Sequence, residues 1–388
     1  MQLDSIRVVD LTRLLPGPYA TQLLSDMGAE VIKIEDPDLG DYARFIEPKV
    51  ADDVGAVFSA INRGKKSVTI NLKDEGGLEA FYKIVADADA VIEQFRPGVA
   101  ARLGVDYESV RIHNPDIVYC SLSGYGQDGN YRDRVGHDLN YASMAGLIDM
   151  TRDSEGSKPE IPGFLIGDIA GGTFTALSMV SALLSRELNK GDSNYIDLSI
   201  TDTLLSFSHA VAPLALNGDQ PRPGRTELTG KFPCYDVYET ADGRYLSIGA
   251  LEPKFWRTLC EELGQEELIE RHRAEDEATR VAVRERLAET FRSKTLEEWK
   301  SRLAQKEVMF APVQTISEAV TDDHVRSRGI VRDANGLIPR IGYPAKVRHG
   351  LQQTDESVPE MGEHTEEVLE EAGIDQTEFE ELRRQDVV

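Results

Sequence analysis

Gly136-His137-Asp138-Leu139-Asn140-Tyr141 sets an imidazole beside a carboxylate at the opening of a small-residue, helix-like segment that runs to Gly146. Such a pair can carry a proton to and from a reacting atom, or simply start a helix with His137 near the cap. A second acid, Asp168 in Gly167-Asp168-Ile169-Ala170-Gly171-Gly172, heads the most apolar stretch of the chain, Gly163 to Ser185. Asp168 can cap that helix. Yet an acid amid apolar residues is costly without a use, and the glycines of its first turn let a ligand approach the backbone. Glu252, in Leu251-Glu252-Pro253-Lys254-Phe255-Trp256, reads by itself as an acid in the first turn of a helix, where the dipole favours it.

Cations are scarce: 43 Lys and Arg stand against 68 Asp and Glu, a net charge of −25. Asn62-Arg63-Gly64-Lys65-Lys66-Ser67 and Phe95-Arg96-Pro97-Gly98 fall at the ends of predicted strands, and Arg44 follows the loop Gly40-Asp41-Tyr42-Ala43. Cations converging at sheet ends suit a phosphate-rich ligand; solvated surface charge is the plainer alternative. Gly124-Tyr125-Gly126-Gln127-Asp128-Gly129 spells the glycine pattern of a dinucleotide loop. That loop must open a helix whose N–H groups meet the pyrophosphate, and Asn130-Tyr131-Arg132-Asp133-Arg134 has no helical period. A nicotinamide or flavin is therefore not expected. Cys120, Cys234 and Cys260 form no CxxC pair and no disulfide framework, so neither a metal site nor an oxidising compartment is expected.

Short β-like runs alternate with helical ones over the first 120 residues. Strands are predicted at Ile6–Val9, Val31–Ile34, Val68–Ile70, Ala90–Ile92 and Ile117–Ser121, with helices at Tyr19–Met27, Gly77–Val85 and around Tyr107–His113. A helix at Ile169–Leu188, a sixth strand at Tyr195–Leu198 and an apolar helix at Ile200–Leu216 follow. The pattern predicts an α/β large domain over 1–216, a Rossmann-like parallel sheet with helices on both faces. Residues 217–226 read as a turn-rich linker. Tyr235–Glu239 and Tyr245–Gly249 flank an Asp242-Gly243 turn, a hairpin signal. Charged helices follow to about Gln305, then a strand at Val308–Val313, which makes 227–329 a smaller α+β domain. Residues 330–388 are expected to return to the large domain.

The acidic excess predicts repulsion from nucleic acid and from anionic membranes. Asp168 inside the apolar stretch favours a buried helix over a membrane span. The N-terminus lacks the layout of a signal peptide, and a cytoplasmic location is expected. Acid spread along the whole chain, with Arg outnumbering Lys, suggests adaptation to high salt, which screens self-repulsion.

Together these residues resemble the family III CoA-transferase and racemase superfamily, most closely its alpha-methylacyl-CoA racemase branch. The likeness spans nearly the whole chain. It includes Val9-Asp10-Leu11-Thr12 with Pro16-Gly17-Pro18, Asp26-Met27-Gly28-Ala29-Glu30-Val31-Ile32-Lys33-Ile34-Glu35, Asn62 through Ser67, Arg96-Pro97-Gly98, and Ser123-Gly124-Tyr125-Gly126-Gln127. The first three point to CoA and not to a reaction. With the basic clusters, the resemblance marks Arg44, Asn62, Lys65, Arg96, Tyr125 and Gly126 as CoA contacts. Gly136 through Tyr141 is the discriminating stretch. The resemblance implies His137 as one catalytic base, Asp168 as the other, and Glu252 as support for the histidine. Transferases of the superfamily attack with an aspartate matching Asp138, usually without the adjacent histidine, and this chain keeps both. Also implied are an acyl-CoA substrate with no separate cofactor, a place in fatty acid metabolism, and an interlocked homodimer whose active site joins one subunit's large domain to the other's small domain.

Inverting a carbon beside a thioester takes a base on one face and an acid on the other, with no metal, because the thioester already acidifies the proton. The Asp138 amide, at a helix start, is the expected donor to the enolate oxygen. Glu252 would set the tautomer of His137, and phosphate contacts would supply remote binding energy that places the reacting carbon. A transferase would instead form a mixed anhydride on Asp138, and a non-catalytic scaffold would bind CoA without turnover.

Overall fold

Runs rich in Val and Ile become six strands: β1 (Arg7–Leu11), β2 (Glu30–Glu35), β3 (Lys66–Thr69), β4 (Ala90–Glu93), β5 (Val118–Ser123) and β6 (Tyr195–Ser199). The computed structural model describes residues 3–50, 54–152, 156–188, 194–223, 226–332, 339–346 and 357–388. The six strands pair in parallel in the order β3-β2-β1-β4-β5-β6. Alternate residues Val9, Ile32, Val68, Val91 and Tyr119 join Phe81 and Ile84 of the Glu75–Ala86 helix in one core cluster. Their neighbours Val8, Val31, Ala90 and Val118 are equally buried, so both faces are covered, as a parallel sheet requires. The strand order reverses between β1 and β4. Sheets of this Rossmann-like α/β kind bind ligands at such a switch point, outside the carboxyl ends of the strands.

Backbone contacts divide the chain into two units, Met1–Leu147 with Pro162–Phe207 and Ser327–Val388, and Ile148–Ile161 with Ser208–Arg326. The division falls ahead of the turn-rich stretch 217–226, of which 224 and 225 lie outside the described residues. In the first unit the C-terminal segment lines the outer edge of β3: His364 N–H donates to Ser67 O at 2.9 Å, and Asn71 N–H to Val387 O at 2.8 Å. An edge so covered cannot recruit another strand. Two helices of this segment, Thr365–Glu371 and Gln376–Arg384, place Leu369, Phe379 and Leu382 in the core.

The apolar helix expected over Ile200–Leu216 is broken. It runs as Ile200–Ser206, a 3-10 turn Phe207–Ala210, and Ala212–Leu216. Pro213 explains the second interruption, since it has no N–H for the His209 carbonyl and its ring would clash with that turn, so Ala212–Leu216 starts as a separate helix. The long helix runs Ile166–Glu187 and is apolar and long enough to cross a membrane. Here it packs instead on the Pro16–Asp26 helix and on β5. Gly172 makes that contact possible: a Cβ there would lie 2.5 Å from Pro16 O, and one at Gly171 would lie 2.9 Å from the Ile200 side chain. These two glycines serve helix packing, not the approach of a ligand.

The second unit holds an antiparallel sheet of β7 (Tyr235–Glu239), β8 (Tyr245–Gly249) and β9 (Phe310–Pro312) in sequence order. Its core is built on Trp256 and Trp299, whose indole N–H groups donate to Leu268 O and Phe291 O at 3.0 and 2.8 Å, the partners a buried indole requires. All three cysteines are free and buried.

Candidate active site

The carboxyl end of β5 leads into the glycine loop, and no helix opens before Asp138. The glycines have conformational reasons. Gly126 and Gly129 take φ of +90° and +78°, where a side chain is strained. A Cβ on Gly124 would sit 2.2 Å from the Tyr141 ring, so its absence lets that ring lie on the loop. Tyr125 meets Tyr141 edge to face at 5.1 Å. The Tyr141 hydroxyl donates to Gly136 O at 2.5 Å, and burial, then the Asp168 charge, pushes it up to about 12. The Arg96 charge acts on Tyr141 in the opposite sense, which places the exposed Arg96 beside this cluster.

His137 stands in extended conformation just before the helix Asp138–Met144. Its N–H donates to Asn140 Oδ1 at 3.0 Å, which fixes the backbone while the residue stays exposed. Asp138 turns the other way. Its Oδ1 accepts from Asp168 N–H at 2.9 Å, satisfying one of the free donors at the head of the Ile166–Glu187 helix. A Cβ on Gly167 would lie 2.9 Å from that oxygen. Only glycine leaves the carboxylate room, and two acids thirty positions apart are thereby held together. Burial, then the Asp138 charge, raises the Asp168 carboxyl to about 7, so at neutral pH it can give a proton or take one. Asp138→Asn keeps the acceptor and removes the charge. The Asp168 midpoint, followed by carbon-13 NMR of its carboxyl, is expected to move down while remaining above the ordinary aspartate range, because burial is the larger cause. An unmoved midpoint would mean that Asp138 does not act on Asp168.

A cavity of about 480 Å³ lies at the carboxyl ends of the strands around the switch point. Arg13, Lys73 and Arg102 line it, and among the described residues none of the three pairs with a carboxylate. Glu35, Asp36 and Asp41 also line it, but Glu35 is paired with Arg44 and Asp41 with Lys33. In a chain of net charge −25, three unpaired cations beside Asp36 suit an anionic group. Arg13 lies over the rings of Tyr42 and Phe95, 5.1 and 5.7 Å from their centroids. None of the three was singled out in the sequence. The available signal was position, since Arg13 lies two residues past the end of β1 and Lys73 four past the end of β3.

Arg44, Asn62 and Lys65 are placed elsewhere. Arg44 grips both Glu35 oxygens at 2.8 and 2.6 Å and donates to Pro359 O. The Lys65 Nζ lies 3.2 Å from Asp10 Oδ2 and 2.8 Å from both Asn62 Oδ1 and Thr21 Oγ1. All three residues are nearly or fully buried and engaged with the protein's own atoms. Burial alone would push the Asp10 carboxyl up, but Lys65 and Lys33, with the Thr12 and Thr21 hydroxyls, hold it at about 2. Burial pulls Lys65 down to about 8 against the charge of Asp10. Glu252 stands exposed at the N-terminus of the Pro253–Leu263 helix in the second unit. Among the described residues no cluster of His, Cys, Asp and Glu could hold a metal.

The sequence profile of CoA-transferase family III matches residues 3–365. The chain is 33% identical to the succinyl-CoA:mesaconate CoA-transferase of Haloarcula hispanica, covering 96% of each chain. It is 32% identical to the alpha-methylacyl-CoA racemase of Homo sapiens, covering 100% of this chain and 98% of that one. A CAIB/BAIF family protein from Brucella suis superposes with a TM-score of 0.83 at 30% identity, over 95% of this chain and 99% of that one. Overall identity therefore does not separate transferase from racemase. On the profile match and these near full-length likenesses, the chain belongs to CoA-transferase family III and is an enzyme of that acyl-CoA family.

Proposed function

We propose that this enzyme racemises 2-methylacyl-CoA thioesters by two-base proton transfer at the α carbon. One observation carries the reading: the Asp138 carboxylate caps the Asp168 amide, so it builds the site, while His137 lies exposed just before its helix. His137 and Asp168 then form the pair, one taking the α proton and the other returning a proton to the opposite face. The Asp138 N–H, with no protein acceptor among the described residues, donates to the enolate oxygen. Arg13, Lys73 and Arg102 hold the phosphates of the nucleotide end, so that remote binding energy places the reacting carbon. Proton NMR in deuterated water tests this: the methine signal of a 2-methylacyl-CoA should vanish as both epimers appear. Transfer of CoA between two acids without methine exchange would establish the alternative, a mixed anhydride on Asp138.

The same reading includes a homodimer adapted to salt. Leu177 and Leu184 on the long helix are 61% and 57% exposed, an apolar face that a second copy would cover. With a net charge of −25, both the unfolding midpoint and the dimer fraction in sedimentation should fall as salt drops from molar to millimolar. Equal values at the two ends would remove the salt adaptation and leave the reaction untouched.

A further inference from the structure

Leu14 has a φ of +67°, a left-handed conformation that strains a branched residue and persists only where surroundings enforce it. The enforcing group is Asp41. Its Oδ1 accepts from Leu14 N–H at 3.0 Å and from Ala43 N–H at 2.9 Å. Its Oδ2 lies 2.9 Å from Lys33 Nζ, with both side chains fully buried. The Lys33 ammonium also donates to Thr12 O at 2.8 Å. A buried ion pair is a poor source of stability, because desolvation offsets the attraction, and fixing geometry is a use it can serve. The geometry here is specific. Arg13 sits between Thr12 and Leu14, both tied to the pair, and Tyr42 sits between Asp41 and Ala43. The Arg13 guanidinium meets the Tyr42 hydroxyl at 3.0 Å, and both residues line the cavity at the switch point.

We propose that the buried Lys33–Asp41 pair is a positioning device for substrate: it ties the loop after β1 to the loop after β2 and so holds Arg13 and Tyr42 in place for the nucleotide phosphates. The inference rests on the reading of this cavity as the CoA nucleotide site. Titration calorimetry with CoA, and with pantetheine, which lacks the nucleotide, separates the two. Arg13→Ala should weaken CoA about tenfold, the loss of one charge-assisted contact, with pantetheine unchanged. If Arg13→Ala binds CoA as the wild type does, the cavity reading itself falls. Asp41→Asn should also weaken CoA about tenfold and spare pantetheine; normal CoA binding by this variant, with Arg13→Ala impaired, would overturn the positioning role alone. Should Asp41→Asn fail to fold, position 14 decides. Leu14→Gly accepts the left-handed conformation and should retain CoA affinity, whereas Leu14→Val resists it and should lose about tenfold. The reverse order would show that the Leu14 side chain matters and its backbone conformation does not, which overturns the proposal.

Discussion

His137→Ala is expected to slow exchange of the substrate α proton by about 10²–10⁴-fold, the usual loss on removing a general base. CoA affinity should stay near that of the wild type, because Arg13, Lys73 and Arg102 line a cavity that does not include His137. Asp138→Asn should be the milder change. The amide keeps a carbonyl oxygen for the Asp168 N–H that Asp138 Oδ1 now accepts at 2.9 Å, and its own backbone N–H survives as an enolate donor. A transferase demands the opposite order, since an asparagine cannot attack a thioester to form an anhydride. Measuring methine exchange and CoA binding in both variants gives a clean contrast. Turnover abolished in Asp138→Asn but largely kept in His137→Ala would end the racemase reading.

The parallel sheet was legible because its strands are short runs of Val and Ile between helical periods, and each predicted strand overlaps an observed one. The order of the strands was not, because which neighbour β1 takes is decided by helices that periodicity cannot place. His137, Asp138 and Asp168 stood out by residue type beside glycines. What those glycines do was hidden: Gly171 and Gly172 admit a neighbouring helix and side chain, and Gly167 admits the Asp138 carboxylate, contacts made across 29 to 156 positions of sequence. The cations could not be sorted by sequence for a related reason. In an acidic chain every Lys and Arg looks like a ligand group, but a buried cation engaged by Asp10 or Glu35 and an unpaired one facing a cavity carry the same letter. Only the fold distinguishes Lys65 from Lys73.

Lys65→Ala should be among the most destabilising single changes in the first unit, at about 3–5 kcal/mol near pH 7, because it leaves Asp10 charged and buried beside a lost partner. The pH dependence identifies the cause. In the native protein Asp10 sits at about 2, below its ordinary 3.8, held there against burial by Lys65 and Lys33. Its contribution to stability is therefore complete above the unfolded value and is lost as pH falls toward 2. Without Lys65, burial, the largest influence on this carboxyl, is expected to push its folded value above the unfolded one. The sign then reverses: the variant suffers most at neutral pH and recovers as Asp10 takes up a proton. Denaturant unfolding should show the gap between wild type and variant narrowing as pH drops from about 7 toward about 4. Pairing Lys65→Met with Asp10→Asn removes both charges and should recover much of the loss, since an uncharged pair avoids the desolvation that the ions suffer. A gap independent of pH, left unrepaired in the double variant, would assign the cost to lost packing around Thr21 and Asn62 and not to the stranded carboxylate.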